Sequence, residues 1–330
     1  MTALPTHDDV QRARERLGSR VLHTPLLRHP VLDAACGGTV LVKPESLQRT
    51  GSFKLRGASN AVLRLASSGA ARALVTYSSG NHGQAVACAG AASGLPVTVF
   101  MPQDAPAAKR EATARWGAAI IAYDRLRDDR EALAREHAAS TGGALIPPFD
   151  HADVIAGQGT LALELFADAA GVGLHLDALL VPAGGGGLIA GCALAAEGVS
   201  PATRLFAVEP EGWDDTRRSL IAAERVANPP GGSLLCDALL AVTPGELTFA
   251  INRSRLAGGI AVSDAEVLAA MAFAFRHLKL VVEPGGAVAL AALLAGRVEV
   301  RGRVVGVVIS GGNVDAGVFG RALEEGRGGG

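Results

Sequence analysis

A lysine lies in a short, glycine-flanked and partly apolar segment, a setting in which an amine can become reactive. The segment Thr50–Gly57 reads TGSFKLRG, and its lysine, Lys54, follows an aromatic residue between two glycines. A lysine in a partly apolar setting can be desolvated, lose its proton and form a Schiff base with a carbonyl compound. Taken alone, a lysine close to an arginine is more often a surface charge, so this segment does not assign a function by itself.

A run of four glycines stands where an apolar, strand-like segment turns into a helical one. At such a turn the backbone N–H groups and the helix dipole bind anions, and glycine lets a phosphate approach the backbone of Gly184–Gly187. Gly185, Gly187 and Ala190 also satisfy the dinucleotide fingerprint, and Glu209 follows about 20 residues later, where a ribose-binding acid is expected. Dinucleotide binding, phosphate-monoester binding and a purely structural turn all stay open at this segment.

A polar loop, SSGNHGQ at Ser78–Gln84, lies between a predicted strand and a predicted helix. Consecutive hydroxyl, amide and N–H groups at a helix start form a receptor for a carboxylate. An ordinary helix N-cap at Ser79 or Asn81 is the plain alternative. His82 has no second histidine or carboxylate at metal-ligand spacing, so a core histidine explains it equally well.

The elements that must position these residues alternate between strand and helix, which predicts parallel sheets built from β-α-β units. Strands are predicted at 39–43, 72–77, 96–101, 118–123, 177–181, 204–208 and 303–309, and helices at 81–93, 107–116, 128–140, 157–169 and 188–197. Residues from about 72 to 140 form a compact α/β block, which Pro147 and Pro148 close.

Composition narrows the class of function. The chain has 330 residues, a formal net charge of −1 and 42 glycines, so it lacks the basic balance that recruits nucleic acid or an anionic membrane. Its four cysteines have no paired spacing, which argues against a disulfide framework and a zinc knuckle. A polar N-terminus and the lack of an 18-residue apolar run predict a cytoplasmic protein without a membrane partner.

Four segments taken in order, SFKLRG, SSGNHGQA, PAGGGGLIAG and SGGN, resemble the fold type II pyridoxal-phosphate enzymes. The nearest branch is that of the serine/threonine dehydratases and serine racemases. The resemblance covers roughly residues 14–320 and includes VIAGQGT at 154–160 and VEPGG at 282–286. It implies an α/β fold with parallel-type sheets flanked by helices. A large domain (1–72 and 147–330) and a small mobile domain (73–146) would hold the cofactor in the cleft between them.

The resemblance also implies a role for individual residues. Lys54 would bind pyridoxal 5'-phosphate and remove the substrate's Cα proton. The other cofactor contacts would be Phe53 beside the ring, Asn81 at the 3-hydroxyl oxygen, Ser310 at the pyridine nitrogen, and Gly184, Gly185, Gly186, Gly187 and Leu188 around the phosphate. The substrate contacts would be Ser78, Ser79, Asn81, His82 and Arg130, with Ser79 as the catalytic hydroxyl on the face opposite Lys54.

A divalent-cation site is implied at a segment reading EPEGWDD. Glu209 and Asp215 would bind Mg²⁺ or Ca²⁺ with their side chains, and Trp213 with its carbonyl, because oxygen ligands suit these cations. A solvated acidic turn is the alternative.

The function expected is β-elimination of water and ammonia from a small L-β-hydroxy amino acid such as threonine, serine or 3-hydroxyaspartate. Amino-acid racemisation in the same site is the alternative, and a nucleotide-binding dehydrogenase or a non-catalytic binding module is a third possibility from another class. The PPFD segment at 147–150 favours the dehydratase, whereas Gly285 and SLLCDAL at 233–239 depart from the family pattern. A homodimer that binds only a small-molecule substrate is expected.

Overall fold

The computed structural model describes residues 3–78, 80–105 and 107–326. The catalytic role expected for Ser79 therefore lies outside the described residues. In chain order the elements are α1 (His7–Leu17), α2 (Pro30–Cys36), β1 (Thr39–Pro44), α3 (Lys54–Ser68), β2 (Leu74–Tyr77), α4 (Asn81–Ser93), β3 (Val97–Pro102), α5 (Ala107–Ala114), β4 (Ala119–Tyr123), α6 (Arg130–Thr141), β5 (Ala144–Leu145), α7 (Ala152–Gly171), β6 (Ala178–Pro182), α8 (Gly187–Val199), β7 (Arg204–Pro210), α9 (Asp215–Ala222), α10 (Glu246–Arg255), β8 (Gly258–Val262), α11 (Asp264–Phe273), α12 (Pro284–Leu294), β9 (Val304–Ile309) and α13 (Ala316–Glu325).

The larger sheet has five parallel strands in the order β1-β9-β6-β7-β8. The interior strand β9 reads VVGVVI, and its Val307 pairs with Val42 of β1 on one side and Leu180 of β6 on the other. Such continuous apolar strands are typical of a parallel sheet that helices cover on both faces. The carboxyl ends of β1, β6 and β9 consequently open at one edge of this sheet.

The smaller sheet has four parallel strands in the order β4-β3-β2-β5, all drawn from residues 74–145. Its helices α4 and α5 lie next to one another, and the core beneath α4 contains Val86, Val97 and Val99. The strand β2 ends at Tyr77, so the polar loop that follows it lies at the carboxyl edge of this second sheet.

Helix α3 packs against both halves of the molecule, one built on the larger sheet and the other on the smaller sheet. Leu55, Ala58 and Val62 belong to the core that the smaller sheet shares. On its other face α3 meets α7 so closely that a Cβ on Gly157 would lie 2.7 Å from the Arg56 carbonyl oxygen. The first residue of this helix is Lys54, whose position is therefore fixed by packing from two directions.

Within the described residues, no helix is long and apolar enough to cross a membrane.

Candidate active site

Lys54 occupies the centre of the candidate site. Its Nζ donates a hydrogen bond to the Pro148 carbonyl oxygen at 2.7 Å and lies 5.2 Å from the centre of the Phe53 ring. Desolvation of the amine lowers the pKa of Lys54 to about 8, and the carboxylate of Glu283 opposes this shift only in part. About a tenth of the amine is therefore uncharged at pH 7, and that form can act as a nucleophile or a base.

The segment that contains Lys54 is bonded to the turn after β9. The Phe53 N–H donates to the Ser310 carbonyl oxygen at 3.0 Å, and the Asn313 side-chain amide donates to the Thr50 carbonyl oxygen at 2.8 Å. Ser310 is almost fully buried, with 4% of its surface exposed. The structure thus brings together two segments, TGSFK and SGGN, that lie more than 250 residues apart in the sequence.

Asn81 and Glu283 connect the smaller sheet to this group. The Asn81 side-chain amide donates to Glu283 Oε1 at 2.7 Å, and Asn313 donates to Asn81 Oδ1 at 2.7 Å. Burial raises the pKa of Glu283 to about 8, and the nearby Asp237 carboxylate adds to the shift. The VEPGG segment is part of the family resemblance, but the sequence gives its glutamate no role, and only the contacts of the folded chain reveal one.

The glycine turn between β6 and α8 forms a cradle with its N–H groups free. The Gly185 carbonyl oxygen accepts from the Thr248 hydroxyl at 2.7 Å, and the Gly186 carbonyl oxygen accepts from the Asn252 amide at 3.4 Å. Among the described residues, no carbonyl or side chain accepts from the N–H groups of Gly184, Gly185 or Gly186.

Glycine is required in this turn for two different reasons. Gly186 has φ +87°, which side-chain-bearing residues rarely adopt. A Cβ on Gly185 would lie 2.4 Å from the ring of Phe149, whose neighbour Pro148 accepts the Lys54 hydrogen bond. The turn therefore lies beside the lysine, and Gly187 and the buried Leu188 open helix α8 behind it. Free N–H groups at a helix N-terminus fit the phosphate of a cofactor.

His82 is the second residue of α4, and its imidazole is neutral. Its Nε2 is 2.9 Å from the Ile146 carbonyl oxygen, so this nitrogen carries the proton. Burial and the Lys54 charge lower the pKa of His82 to about 3, and Nδ1 is buried without a partner among the described residues. In this tautomer the ring has no N–H left for a carboxylate, so a direct role for His82 in substrate binding stays a prediction. Ser78 is the first residue after β2, and its Oγ accepts from the Gly80 N–H at 3.2 Å.

Arg130 lies apart from this group. It is the exposed first residue of α6, and its guanidinium stacks on the Tyr77 ring at 5.6 Å. It also lines a surface cavity of about 280 Å³ with Tyr123 and Asp128. None of its contacts within the described part of the chain reaches Lys54, so the role expected for Arg130 at the substrate carboxylate stays a prediction.

Two buried carboxylates lie where β7 leads into α9: Glu209 near the end of the strand and Asp215 at the first position of the helix. Both oxygens of Glu209 accept backbone N–H groups, from Thr216 and Arg217, at 2.8 Å each. Asp215 accepts from the Asn228 amide at 2.7 Å through Oδ1, whereas its Oδ2 is buried with no partner among the described residues. Burial raises the pKa of Asp215 to about 7 and that of Glu209 well above its ordinary value, to which the Asp215 charge contributes.

This donor set fits a cation, because an unpartnered carboxylate oxygen and two desolvated acids are the groups that a divalent ion would satisfy. No group of three or more His, Cys, Asp or Glu residues that could hold a metal occurs in the described ranges. The expected set has only two acids and the Trp213 carbonyl, so its occupation by a metal stays a prediction.

A desolvated lysine beside an anion-binding glycine turn, at the edge where two parallel sheets meet, defines a fold type II pyridoxal-phosphate enzyme. The chain belongs to the family described as "Pyridoxal-phosphate dependent enzyme", whose model matches residues 19–311.

Several named proteins are similar to this chain over nearly its whole length. The chain is 44% identical to the L-threo-3-hydroxyaspartate ammonia-lyase of Saccharomyces cerevisiae over 94% of each chain. It is 39% identical to the serine racemase of Schizosaccharomyces pombe, over 94% of this chain and 95% of the relative. The solved structure of a threonine deaminase from T.th. matches with a TM-score of 0.89 and 40% identity, covering 94% of this chain and 99% of that one. The predicted family, α/β fold and enzyme class, a pyridoxal-phosphate-dependent ammonia-lyase, are confirmed.

Proposed function

We propose that the chain removes water and ammonia from a small L-β-hydroxy amino acid, with L-threo-3-hydroxyaspartate as its preferred substrate. The Cα–H and Cβ–O bonds break, and hydrolysis of the nitrogen-bearing product leaves a 2-keto acid and ammonia. The observation that carries this proposal is the desolvated amine of Lys54, which bonds to Pro148, while the next residue, Phe149, packs on the glycine turn whose N–H groups have no partner among the described residues. The names of the relatives support the choice of a 3-hydroxyaspartate.

The chain's own residues divide the work. Bound pyridoxal phosphate supplies an electron sink for the charge that develops at the substrate's Cα. Lys54 takes the Cα proton, since its lowered pKa leaves the amine partly unprotonated. Gly184–Gly187 and Leu188 hold the phosphate, and Asn81 binds the 3-hydroxyl oxygen beside the ring of Phe53.

Ser310 faces the pyridine nitrogen in this proposal and has a mechanistic consequence. A serine hydroxyl, unlike a carboxylate, carries no negative charge that would keep this nitrogen protonated. A neutral ring stabilises a negative charge at Cα less well, so the β-hydroxyl is lost before Cα can be reprotonated. Elimination therefore ranks above racemisation. Ser78, Ser79, Asn81 and the backbone N–H of His82 form the receptor for the α-carboxylate.

Three further features belong to the same proposal. A divalent cation, Mg²⁺ or Ca²⁺, is bound by the side chains of Glu209 and Asp215 and the carbonyl of Trp213, and it stabilises the fold rather than taking part in the reaction. The unpartnered, buried Asp215 Oδ2 supports this assignment. The enzyme works as a cytoplasmic homodimer on a small molecule, and the net charge of −1 gives it no attraction for nucleic acid.

The test of this function is substrate turnover by the cofactor-loaded protein and by Lys54→Ala. L-threo-3-hydroxyaspartate, L-serine and L-threonine are each followed for 2-keto acid and for loss of stereochemistry. We expect keto acid to form fastest from the first, and Lys54→Ala to lower its rate by at least about 100-fold, the lower end of general acid–base effects. Lys279→Gln, which changes an exposed lysine, serves as the control.

Borohydride reduction followed by peptide mapping locates the cofactor. The label is expected on the peptide containing Lys54, and a label on another lysine overturns the mechanism. If L-serine loses its stereochemistry faster than keto acid appears, the racemase alternative takes precedence.

A further inference from the structure

An ion pair joins the two halves of the molecule at the mouth of the site. Lys109, on helix α5 beside the smaller sheet, binds Asp237 in a short 3-10 turn, Asp237–Leu239, that belongs to the other half. Both side chains are partly exposed, 26% for Lys109 and 49% for Asp237. The pair is therefore accessible to a small molecule and holds the lysine through a single carboxylate.

The turn that contains Asp237 lies directly on the cofactor segments. A Cβ on Gly184 would be 3.1 Å from the Leu239 backbone, so the turn touches the first residue of the glycine cradle. A Cβ on Gly285 would be 3.2 Å from both Ala238 and Leu239, which places the same turn against the start of α12. Glu283 caps that helix, and its carboxylate responds to the charges of both Lys54 and Lys109. Lys109 therefore shares the electrostatic surroundings of the reactive lysine.

The proposed substrate carries a charge that serine and threonine lack. Its α-carboxylate is assigned to the loop after β2, and its second carboxylate, on Cβ, requires a separate cation. Lys54 is committed to the reaction, and Arg130 stacks on Tyr77 on the exposed side of α6. Lys109 combines a flexible stem, partial exposure and an ion pair with the turn that touches Gly184 and Gly285. An ammonium on a flexible stem can exchange one carboxylate partner for another.

We propose that Lys109 is the specificity-determining residue for the β-carboxylate: it leaves Asp237 and pairs with that group when 3-hydroxyaspartate binds. Asp237 is the partner of the ammonium before substrate arrives, and it competes with the β-carboxylate for that charge. This inference rests on the proposed function, since it assigns the second charge of the proposed substrate. Lys109 exchanges one carboxylate partner for another, and the released Asp237 is 49% exposed to water. No buried charge loses its partner, so the free-energy cost of the exchange is small.

Binding of L-aspartate and L-asparagine tests the role of Lys109 without turnover. These amino acids have the same shape, lack a β-hydroxyl and differ by one charge. Their dissociation constants are measured from the visible absorbance of the cofactor-loaded enzyme. Lys109→Gln is expected to weaken aspartate at least tenfold relative to asparagine. Lys109→Arg, which keeps the charge, should restore the ratio to within about threefold, whereas the neighbouring charge change Arg110→Gln should leave it at the wild-type value.

Turnover and a second variant complete the test. The ratio of kcat/KM for L-threo-3-hydroxyaspartate over L-serine should fall at least tenfold in Lys109→Gln, with the change in KM rather than kcat. Asp237→Asn should tighten aspartate binding severalfold, because it frees the ammonium in advance. Equal weakening of both ligands by Lys109→Gln would mean that the ion pair only holds the two halves together, and would overturn the proposal.

Failure of the underlying function gives a different result. A wild-type enzyme that binds asparagine as well as aspartate and prefers L-serine as substrate has another function. A wild-type enzyme that prefers aspartate, with the preference intact in Lys109→Gln, keeps the proposed function and loses only the role of Lys109.

Discussion

Glu283 is a carboxyl group in a position where a negative charge is costly. It is 4% exposed, bonded to Asn81, and close to the carboxylate of Asp237, so burial and like charge together raise its pKa to about 8. The cation of Lys54 offsets this only in part. A proton that is kept here near neutral pH lets the group donate as well as accept a hydrogen bond beside the cofactor's binding segment.

Replacing Glu283 by glutamine is expected to flatten the pH dependence of stability. The carboxyl of the folded protein titrates near pH 8 and that of the unfolded chain near 4.5, so the folded state binds the extra proton between these values. Wild-type stability should therefore fall as pH rises from about 5 to 8, by an amount on the order of a few kcal/mol. Glu283→Gln keeps the acceptor for Asn81 and removes the titration.

Urea unfolding of the cofactor-free protein at pH 5.5, 7.0 and 8.5 measures this effect. The difference between Glu283→Gln and wild type should grow in favour of the variant as pH rises. Glu246→Gln, which changes a glutamate whose side chain is 82% exposed, is the matched control. Parallel pH curves for wild type and Glu283→Gln would contradict the raised pKa.

Most of the strands could be predicted from sequence, because a parallel strand buried on both faces leaves an apolar run that glycines and prolines interrupt. The predicted 204–208 and 303–309 correspond to Arg204–Pro210 and Val304–Ile309. Helix α3 was not predicted, because its buried face includes the polar residues Arg56, Ser59 and Asn60, which a sequence pattern assigns to the surface. Helix α7 begins at Ala152, five residues earlier than the predicted 157, since its buried apolar face already starts at Val154.

Part of the candidate site could likewise be predicted from the sequence, and part could not. Lys54, Asn81, Ser310 and the glycine turn belong to local sequence motifs. The structure bonds the first three segments to one another and packs the glycine turn on Phe149, next to the Pro148 that binds Lys54. The contacts of Glu283 and the ion pair of Lys109 join residues more than 100 positions apart, and no local pattern reports such a pairing.

The connection from β7 to α9 carries the proposed cation, and removal of the metal is expected to lower stability. A cation that binds the folded state alone contributes about 2.7 kcal/mol at a 100-fold excess over Kd. EDTA should therefore lower the Tm of the wild type, and Mg²⁺ or Ca²⁺ should restore it. Asp215→Asn, which alters the group with the unpartnered oxygen, should abolish the response.

Glu211→Gln supplies the comparison, because Glu211 is an exposed acid in the same turn. It should respond to EDTA as the wild type does. A Tm that is insensitive to EDTA in the wild type, together with no metal by elemental analysis, would leave the segment as a plain acidic turn.

Across the whole molecule, α3 holds the two sheets together through one buried charge. Arg56 is fully buried, and its guanidinium binds Glu45 at 2.8 Å and Glu164 at 2.7 Å, both outside the smaller sheet. The apolar side of the same helix packs in the core of the smaller sheet. Helix α3 therefore contacts the core of the smaller sheet on one side and two carboxylates of the other half on the other side, so the two halves depend on each other for stability. Lys54 is the first residue of this shared helix.

Arg56→Met is therefore expected to destabilise both halves at once, by about 3–5 kcal/mol, because the fully buried Glu45 loses its ion-pair partner and Glu164 keeps only Lys43. Arg64→Met is the control: Arg64 also joins α3 to α7, through Asp153, but its side chain is 53% exposed, so the loss should stay below about 1 kcal/mol. Trp116 and Trp213, the two tryptophans of the chain, lie in different halves, and single-tryptophan variants report each half by fluorescence. In urea, both reporters should shift to lower concentration together in Arg56→Met. A shift confined to one reporter, or an equal loss in Arg64→Met, would show that the buried charge does not couple the halves.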